Sequence, residues 1–209
     1  MAWPAPLTLQ NDVVRLEPLR ADHGPALCDA VRDGALWNLW YTGVPTPEGM
    51  ATEIQRRLDL QNQGSMLPFA VVPLGLGPFQ GQAVGMTTYM HIDAPNRRVE
   101  IGSTWYRLGA QKTAINTAAK RLLLGHAFDT LGCIAVEFRT HTHNQASRRA
   151  IERLGARLDG VLRSHQINHH PLAQGSLRDT CVYSITAAEW PTVRVGLDHR
   201  LQAQDPPPC

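Results

Sequence analysis

Apolar and polar positions alternate over residues 12–19, with Val13, Arg15 and Glu17 set against Val14 and Leu16, which predicts a strand with one buried face. Asp22 opens a helical stretch to about Arg32. A second helix is expected from the start signal Thr46-Pro47-Glu48-Gly49 to about Gln63. Two apolar runs, Leu67–Val72 and Ala83–Ile92, are separated by the turn LGLGPFQGQ and read as a hairpin. Ala94-Pro95-Asn96 then turns the chain into a strand over Arg98–Tyr106. Beyond it, Ile115, Ala119, Leu122, Leu123, Ala127 and Leu131 recur at helical spacing and predict a long helix with one apolar face. Ile134, Val136 and Phe138 alternate as the next strand, and a polar turn leads to another helix that stops at Leu154-Gly155-Ala156. Strands over 159–169 and 178–186, a closing helix over 189–201 and a loose tail at 205–209 complete the reading.

A strand, a helix and a strand in succession place the two strands as parallel neighbours, whereas the other connections are hairpins. The expected class is therefore α/β, an α+β mixed sheet flanked by helices. At 209 residues the chain is expected to form a single domain, 1–209, with a sizeable core. Its 43% hydrophobic and 18% charged residues fit a globular chain. A formal net charge of +2 gives no reason to expect nucleic acid or an anionic membrane as partner. The start MAWPAPLTLQND has no basic region followed by an apolar stretch, and no run reaches the roughly 18 apolar residues of a span. Cys28, Cys133, Cys181 and Cys209 are scattered without a C-x-x-C spacing and read as free thiols. These features point to a cytoplasmic protein, and a homodimer is compatible with them.

The chemistry lies in the order of pieces between Asn96 and Gly160. A strand that passes through a short loop into a helix N-terminus aims unpaired backbone N–H groups and the helix dipole at one spot, which suits a pyrophosphate. The loop Gln111-Lys112-Thr113-Ala114-Ile115-Asn116 resembles the Gln/Arg-x-x-Gly-x-Gly/Ala loop of the GCN5-related N-acetyltransferases, with Ala and Asn in place of the glycines. Asn144 and Ser147, followed by a helix and Leu154-Gly155-Ala156, resemble that family's Asn-x-x-Ser helix and Leu-Gly-Phe/Ala stop, in particular in the branch of ribosomal-protein alanine acetyltransferases.

The resemblance implies a splayed mixed sheet, acetyl-CoA as acyl donor without a metal, and an amine acceptor. It also implies the site. Glu100 falls where the family has an acidic residue in the central strand and becomes the candidate base or water-positioner. Read from position alone, it would be an exposed strand residue paired with Arg97 or Arg98. Strand alternation sets Glu100, Gly102, Thr104 and Tyr106 opposite Val99, Ile101, Ser103 and Trp105, and Gly102 is expected to leave open space for a pantetheine arm. A backbone N–H around Gly102, Ser103 and Thr104, where the family's strand bulges, would bind the oxyanion. Residues 111–116 would hold the phosphates, and Lys112 could add a charge. Asn144 would reach pantetheine amides or cap its helix. Ser147 would donate to the departing sulfur, since no Tyr lies between Asn144 and Gly155. Trp37, Trp40 and Tyr41, on a Pro- and Gly-broken segment, would line the acceptor groove or fill core.

The expected reaction is direct attack of a primary amine on the thioester, the amine belonging to a protein N-terminus or a small molecule. No Cys or His sits where a nucleophile is expected, since Cys133 starts a core strand. A catalytically inactive CoA-binding or interaction module of the same fold is an alternative. A metal-dependent hydrolase built on His141, His143, His169 and His170 is a further one, although no Cys, Asp or Glu stands at ligand spacing and these histidines fall at strand ends.

Overall fold

The computed structural model describes residues 3–204; Cys209 and the tail at 205–209 lie outside them. Eight strands form one mixed sheet in the order β1-β2-β3-β4-β5-β6-β8-β7. They are β1 (Leu9–Gln10), β2 (Val14–Pro18), β3 (Met66–Pro73), β4 (Gly85–Asp93), β5 (Arg98–Tyr106), β6 (Ala135–His141), β7 (Arg157–Ile167) and β8 (Leu177–Thr186). The helices are α1 (Gly24–Arg32), α2 (Met50–Asn62), α3 (Ala114–Gly125), α4 (Gln145–Leu154) and α5 (Trp190–Gln204). All neighbouring strands are antiparallel except β5 and β6.

The sheet separates two cores. Leu16, Phe69, Tyr89, Ile101 and Phe138 pack with Leu123 of α3 and Leu197 of α5 on one side. Val72, Met86 and Trp105 pack with Leu27 and Val31 of α1 and Met50 and Ile54 of α2 on the other. The expected apolar face of the long helix is present in α3 and its π-helical continuation His126–Thr130, where Ala118, Ala119, Leu123, Leu124 and Ala127 are buried. Ile134, expected in the next strand, stands just before β6 and is exposed. Its backbone instead ties Arg97 to Ala187.

Two irregularities in β5 position the site. First, β5 and β6 pair only over Arg98–Glu100 with Ala135–Glu137, and past Glu100 they diverge. Second, Thr88 faces Gly102 and Met86 faces Trp105, so Ser103 and Thr104 together oppose Thr87. This is a β-bulge, with Ser103 in the left-handed region at φ 47°. The extra residue reverses which face the following side chains occupy. Val99 and Ile101 belong to the α3 core, Trp105 to the α1/α2 core, and Tyr106 returns to the α3 side. The simple alternation expected for 98–106 therefore fails at Ser103, and Trp105 does not share a face with Val99 and Ile101.

Candidate active site

The bulge is gripped from both faces of the sheet. On one side Arg57 of α2, 1% exposed, places Nη1 and Nη2 each 3.2 Å from the Ser103 carbonyl oxygen and Nη1 2.8 Å from Thr88 Oγ1. Its Nε donates to Glu53 at 2.7 Å, and the two guanidinium groups beside Glu53 overcome partial burial to hold that carboxyl below its usual range. On the other side Lys120 of α3 donates to Thr87 Oγ1 at 3.1 Å and Thr104 Oγ1 at 2.9 Å. No carboxylate pairs with Lys120 among the described residues, and burial alone pushes its pKa down to about 7.

Glu100 is the last β5 residue paired with β6 and is 4% exposed. Its Oε2 lies 2.7 Å from His91 Nδ1 and 3.4 Å from Arg139 Nε. The second of these is an ion-pair distance without hydrogen-bond alignment. Neither Arg97 nor Arg98 is its partner. Arg98 binds Glu137, which also accepts from Arg139 Nη2 at 3.0 Å. The carboxylate of Glu100, its hydrogen bond stronger than the cost of partial burial, raises the pKa of His91. Together His91, Asp93, Arg98, Glu100, Glu137 and Arg139 line a cleft of about 250 Å³. Gly102 does not leave open space beside Glu100. A Cβ there would stand 2.7 Å from Met90 Sδ and 2.8 Å from Glu100 Oε1, so the missing side chain lets those two groups close over the strand.

At the wide end of the splay, β6 ends on His141, 3% exposed. Its ring meets Trp40 edge-on at 5.1 Å and Tyr41 at 6.5 Å. The backbone N–H of His143 donates to His141 Nδ1 at 3.1 Å, so the neutral ring carries its proton on Nε2. That Nε2 has no partner among the described residues. Burial, with Arg178 and His143 nearby, lowers the pKa of His141 and keeps the ring neutral at pH 7. The loop carrying the aromatics is tied to the β7–β8 turn: Asn168 Nδ2 donates to the Trp40 carbonyl at 3.2 Å, and His170 Nε2 lies 3.1 Å from that of Trp37. Trp37 itself packs against the α1/α2 core, whereas Trp40 and Tyr41 face His141.

After β5 the chain reaches the α3 N-terminus through a loop in which Lys112 has φ 61°. Gln111 Nε2 donates to the Tyr106 carbonyl at 2.9 Å and anchors the loop. Thr113 is the N-cap, accepting from Ile115 N at 3.3 Å while its hydroxyl donates to the Ala110 carbonyl at 2.8 Å. Lys112 and Thr113 are exposed, and Ala114, Ile115 and Asn116 form the first helical turn, half-buried. The local geometry suits an anion: first-turn N–H groups near the surface with no acidic residue in that turn. Asn144 is the N-cap of α4 and accepts from Ser147 N at 3.0 Å. Ser147 is therefore capped rather than capping, and its hydroxyl has no hydrogen bond among the described residues. Gly155 ends α4 at φ 101°.

The residues missed by sequence reasoning are His91, Arg57, Lys120 and Arg139. Arg57 and Lys120 carried a signal, since Met50, Ile54 and Arg57 share a helical face, as do Lys120, Leu123, Leu124 and Ala127. His91 and Arg139 carried none, because strand positions become neighbours only through sheet register. Among the described residues no group of His, Cys, Asp and Glu comes together in a way that could hold a metal. Cys133 is buried, which pushes its thiol pKa up to about 11 and makes it a poor nucleophile. No helix among the described residues is long and apolar enough to cross a membrane.

Residues 14–157 match the sequence profile of the Acetyltransferase (GNAT) domain. The chain belongs to that family. It is similar to a GCN5-related N-acetyltransferase from Brucella melitensis, with 30% identity and a TM-score of 0.78 over 95% of this chain and 86% of that one. Mycobacterium smegmatis RimJ in complex with CoA-disulfide shares the fold at 24% identity, with a TM-score of 0.73 over 97% of this chain and 95% of that one. Among curated proteins the chain is similar to the Bacillus subtilis protein named "Putative ribosomal N-acetyltransferase YdaF", at 30% identity over 54% of this chain. The match spans 58% of that relative's length.

Proposed function

We propose that this protein, acting as a single catalytic domain, transfers an acetyl group from acetyl-CoA to a primary amine by direct attack in a ternary complex. The observation that carries the reading is the divergence of β5 from β6 immediately past a buried carboxylate, with a bulge two residues further on. The gap would give an extended donor a path between strand edges, from the α3 N-terminus to Glu100. Residues 111–116 would hold the pyrophosphate, a role supported by exposed Lys112 and Thr113 leading into the half-buried first turn of α3 and by family membership. Backbone N–H groups of the bulge, Gly102 to Thr104, would serve as oxyanion donors, and the grip of Arg57 and Lys120 would keep them from reorganising during reaction.

The incoming amine is largely protonated at pH 7, with a pKa of about 10.4 for a Lys-type amine and about 8 for an α-amine. Glu100, directly or through water, takes its proton. The amine nitrogen then attacks the thioester carbon, the C–N bond forms, and collapse of the tetrahedral intermediate breaks the C–S bond as the second nitrogen proton passes to the departing sulfur. The leaving thiolate has a thiol-like pKa of about 8.5 and needs limited help. The unpaired hydroxyl of Ser147 would supply it as a hydrogen bond to sulfur. Trp40 and Tyr41 would receive the acceptor, a protein N-terminus or a small-molecule amine, next to the orphan donor of His141. An amine-panel assay that follows both CoA thiol and amide product tests the reading. Stoichiometric thiol and amide formation with one acceptor class is the expected result. CoA binding without turnover on any amine would mark an inactive CoA-binding module instead.

A further inference from the structure

A buried base needs a way to discharge the proton it has taken. Glu100 is 4% exposed, and its Oε2 is held against one imidazole, His91 Nδ1, at 2.7 Å. The His91 side chain is 59% exposed, so the same ring that touches the buried carboxylate also reaches bulk water. The arrangement is built by the backbone. Met90 faces Glu100 and Asp93 faces Arg98, so His91 and Ile92 together oppose Val99, and His91 lies at φ 46°. This second bulge turns a side chain that would otherwise point to the opposite face of β4 onto the face of Glu100.

We propose that His91 is the proton shuttle of the site, carrying the amine-derived proton from Glu100 to bulk solvent. The proposal rests on Glu100 being the group that accepts the amine's proton. In the resting pair the Glu100 carboxylate accepts from His91 Nδ1–H. The ammonium gives a proton to the carboxylate at Oε1, leaving the free amine and a neutral carboxyl that holds Nδ1–H weakly. The exposed ring exchanges with water to its Nε2–H tautomer, takes the carboxyl proton at Nδ1 and releases Nε2–H to water, which restores the carboxylate and its Nδ1–H partner. One proton leaves the amine and one enters solvent, and nothing is oxidised or reduced.

The groups around the pair set its pH behaviour. On the strand of His91 itself stands Asp93, β5 contributes Arg98 and Glu100, β6 contributes Glu137 and Arg139, and Arg178 of β8 lies close enough to act on Glu100. Carboxylates favour the imidazolium and Arg139 opposes it. Glu100 and Glu137 thus raise the affinity of the His91 ring for a proton.

The test compares His91→Gln, His91→Asn and Glu100→Gln at saturating substrates, following amide product in dilute buffer with and without added imidazole. His91 is exposed, so its variants are expected to melt like the wild-type protein. Both His91 variants should lose turnover, about tenfold or more on the scale of proton-transfer catalysis. Imidazole should restore that loss with saturation while leaving the wild-type protein unchanged. Imidazole should not rescue Glu100→Gln. Unaltered turnover in His91→Gln, a deficit imidazole cannot touch, or full activity in His91→Asn (which can still donate to Glu100) would each overturn the shuttle. Glu100→Gln retaining full turnover would sink the Glu100 base itself, so the two failures are separable.

Discussion

Arg57 reaches through the α1/α2 core to place Nη1 and Nη2 at equal 3.2 Å distances from the carbonyl oxygen of Ser103, the residue that carries the β5 bulge in a left-handed conformation. A non-glycine residue at positive φ is held by its surroundings rather than by its own preference. The bond from a guanidinium to that carbonyl is such a surrounding, and it joins α2 to the strand on which the acyl carbonyl is expected to sit.

Arg57→Met should therefore act on both stability and turnover. It leaves Glu53, Thr88 and the Ser103 carbonyl without their shared partner, and loss of one member of a buried pair costs about 3–5 kcal/mol. Denaturant unfolding measures that loss. In the fraction that remains folded, turnover should fall more than CoA affinity, because the bulge would be free to relax. A mild stability change of under about 1 kcal/mol, the value of an ordinary surface pair, would show that the clamp contributes little.

Glu100→Gln should lower turnover by about 10²-fold, the low end of general-base contributions, while CoA binding stays nearly intact. The deficit should shrink as pH rises toward the amine's own pKa, where the neutral amine becomes common. The substitution also removes the main cause of the raised His91 pKa, so the titration of His91 followed by NMR should move down. A pH-independent deficit would instead indicate a role in positioning substrate.

Asn144→Ala and Ser147→Ala separate a cap from a catalytic hydroxyl. Asn144 Oδ1 accepts from Ser147 N, so the Asn144 variant should lose about 0.5–2 kcal/mol. Ser147 contributes only its backbone to that cap. Its variant should keep its melting temperature and show a partial fall in turnover at saturating substrates, the pattern of an interaction made mainly in the transition state. Unchanged turnover would retire the sulfur-donor role.

What the sequence disclosed and what it withheld divide along physical lines. The 98–106 strand is found at its expected bounds, and the α4 start at Asn144 and stop at Gly155 follow from local caps that any observer of the chain can read. The β1 strand, two residues long, has too little pattern to register. The bulge at Ser103 was expected only through the family resemblance, since nothing in Glu100-Ile101-Gly102-Ser103-Thr104 requires one. It arises from pairing with β4 and from Arg57 and Lys120, residues 46 and 16 positions away. Glu100 was legible through family resemblance, but its partner His91 depends on a second bulge in a neighbouring strand. The space expected beside Gly102 was misread for the same reason: the missing side chain is used by Met90, which only sheet register brings opposite.

Lys120→Met provides the pH test of the other grip on the bulge. The ammonium of Lys120 has hydroxyl partners but no counter-charge among the described residues, and its pKa falls from 10.5 to about 7 on folding. The sign follows from proton counting. Between about pH 7 and 10.5 the unfolded chain holds the proton and the folded one has released it, so unfolding takes up a proton and stability rises with pH across that window. Below about pH 7 both states are charged and the full penalty of a buried cation remains. A methionine of similar length removes the penalty while Thr87 and Thr104 keep their mutual hydrogen bond of 2.8 Å. The variant should thus be more stable than the parent at pH 6–7, by roughly 1–4 kcal/mol as an upper range for a burial-driven shift, and the two should converge toward pH 10. Unfolding curves of both proteins across pH 6 to 10 measure this. If the parent shows no extra rise in stability over that range, Lys120 is not held as an uncompensated cation. If Lys120→Met is the less stable of the two at pH 7, the bonds from Nζ to Thr87 and Thr104 outweigh the burial of its charge.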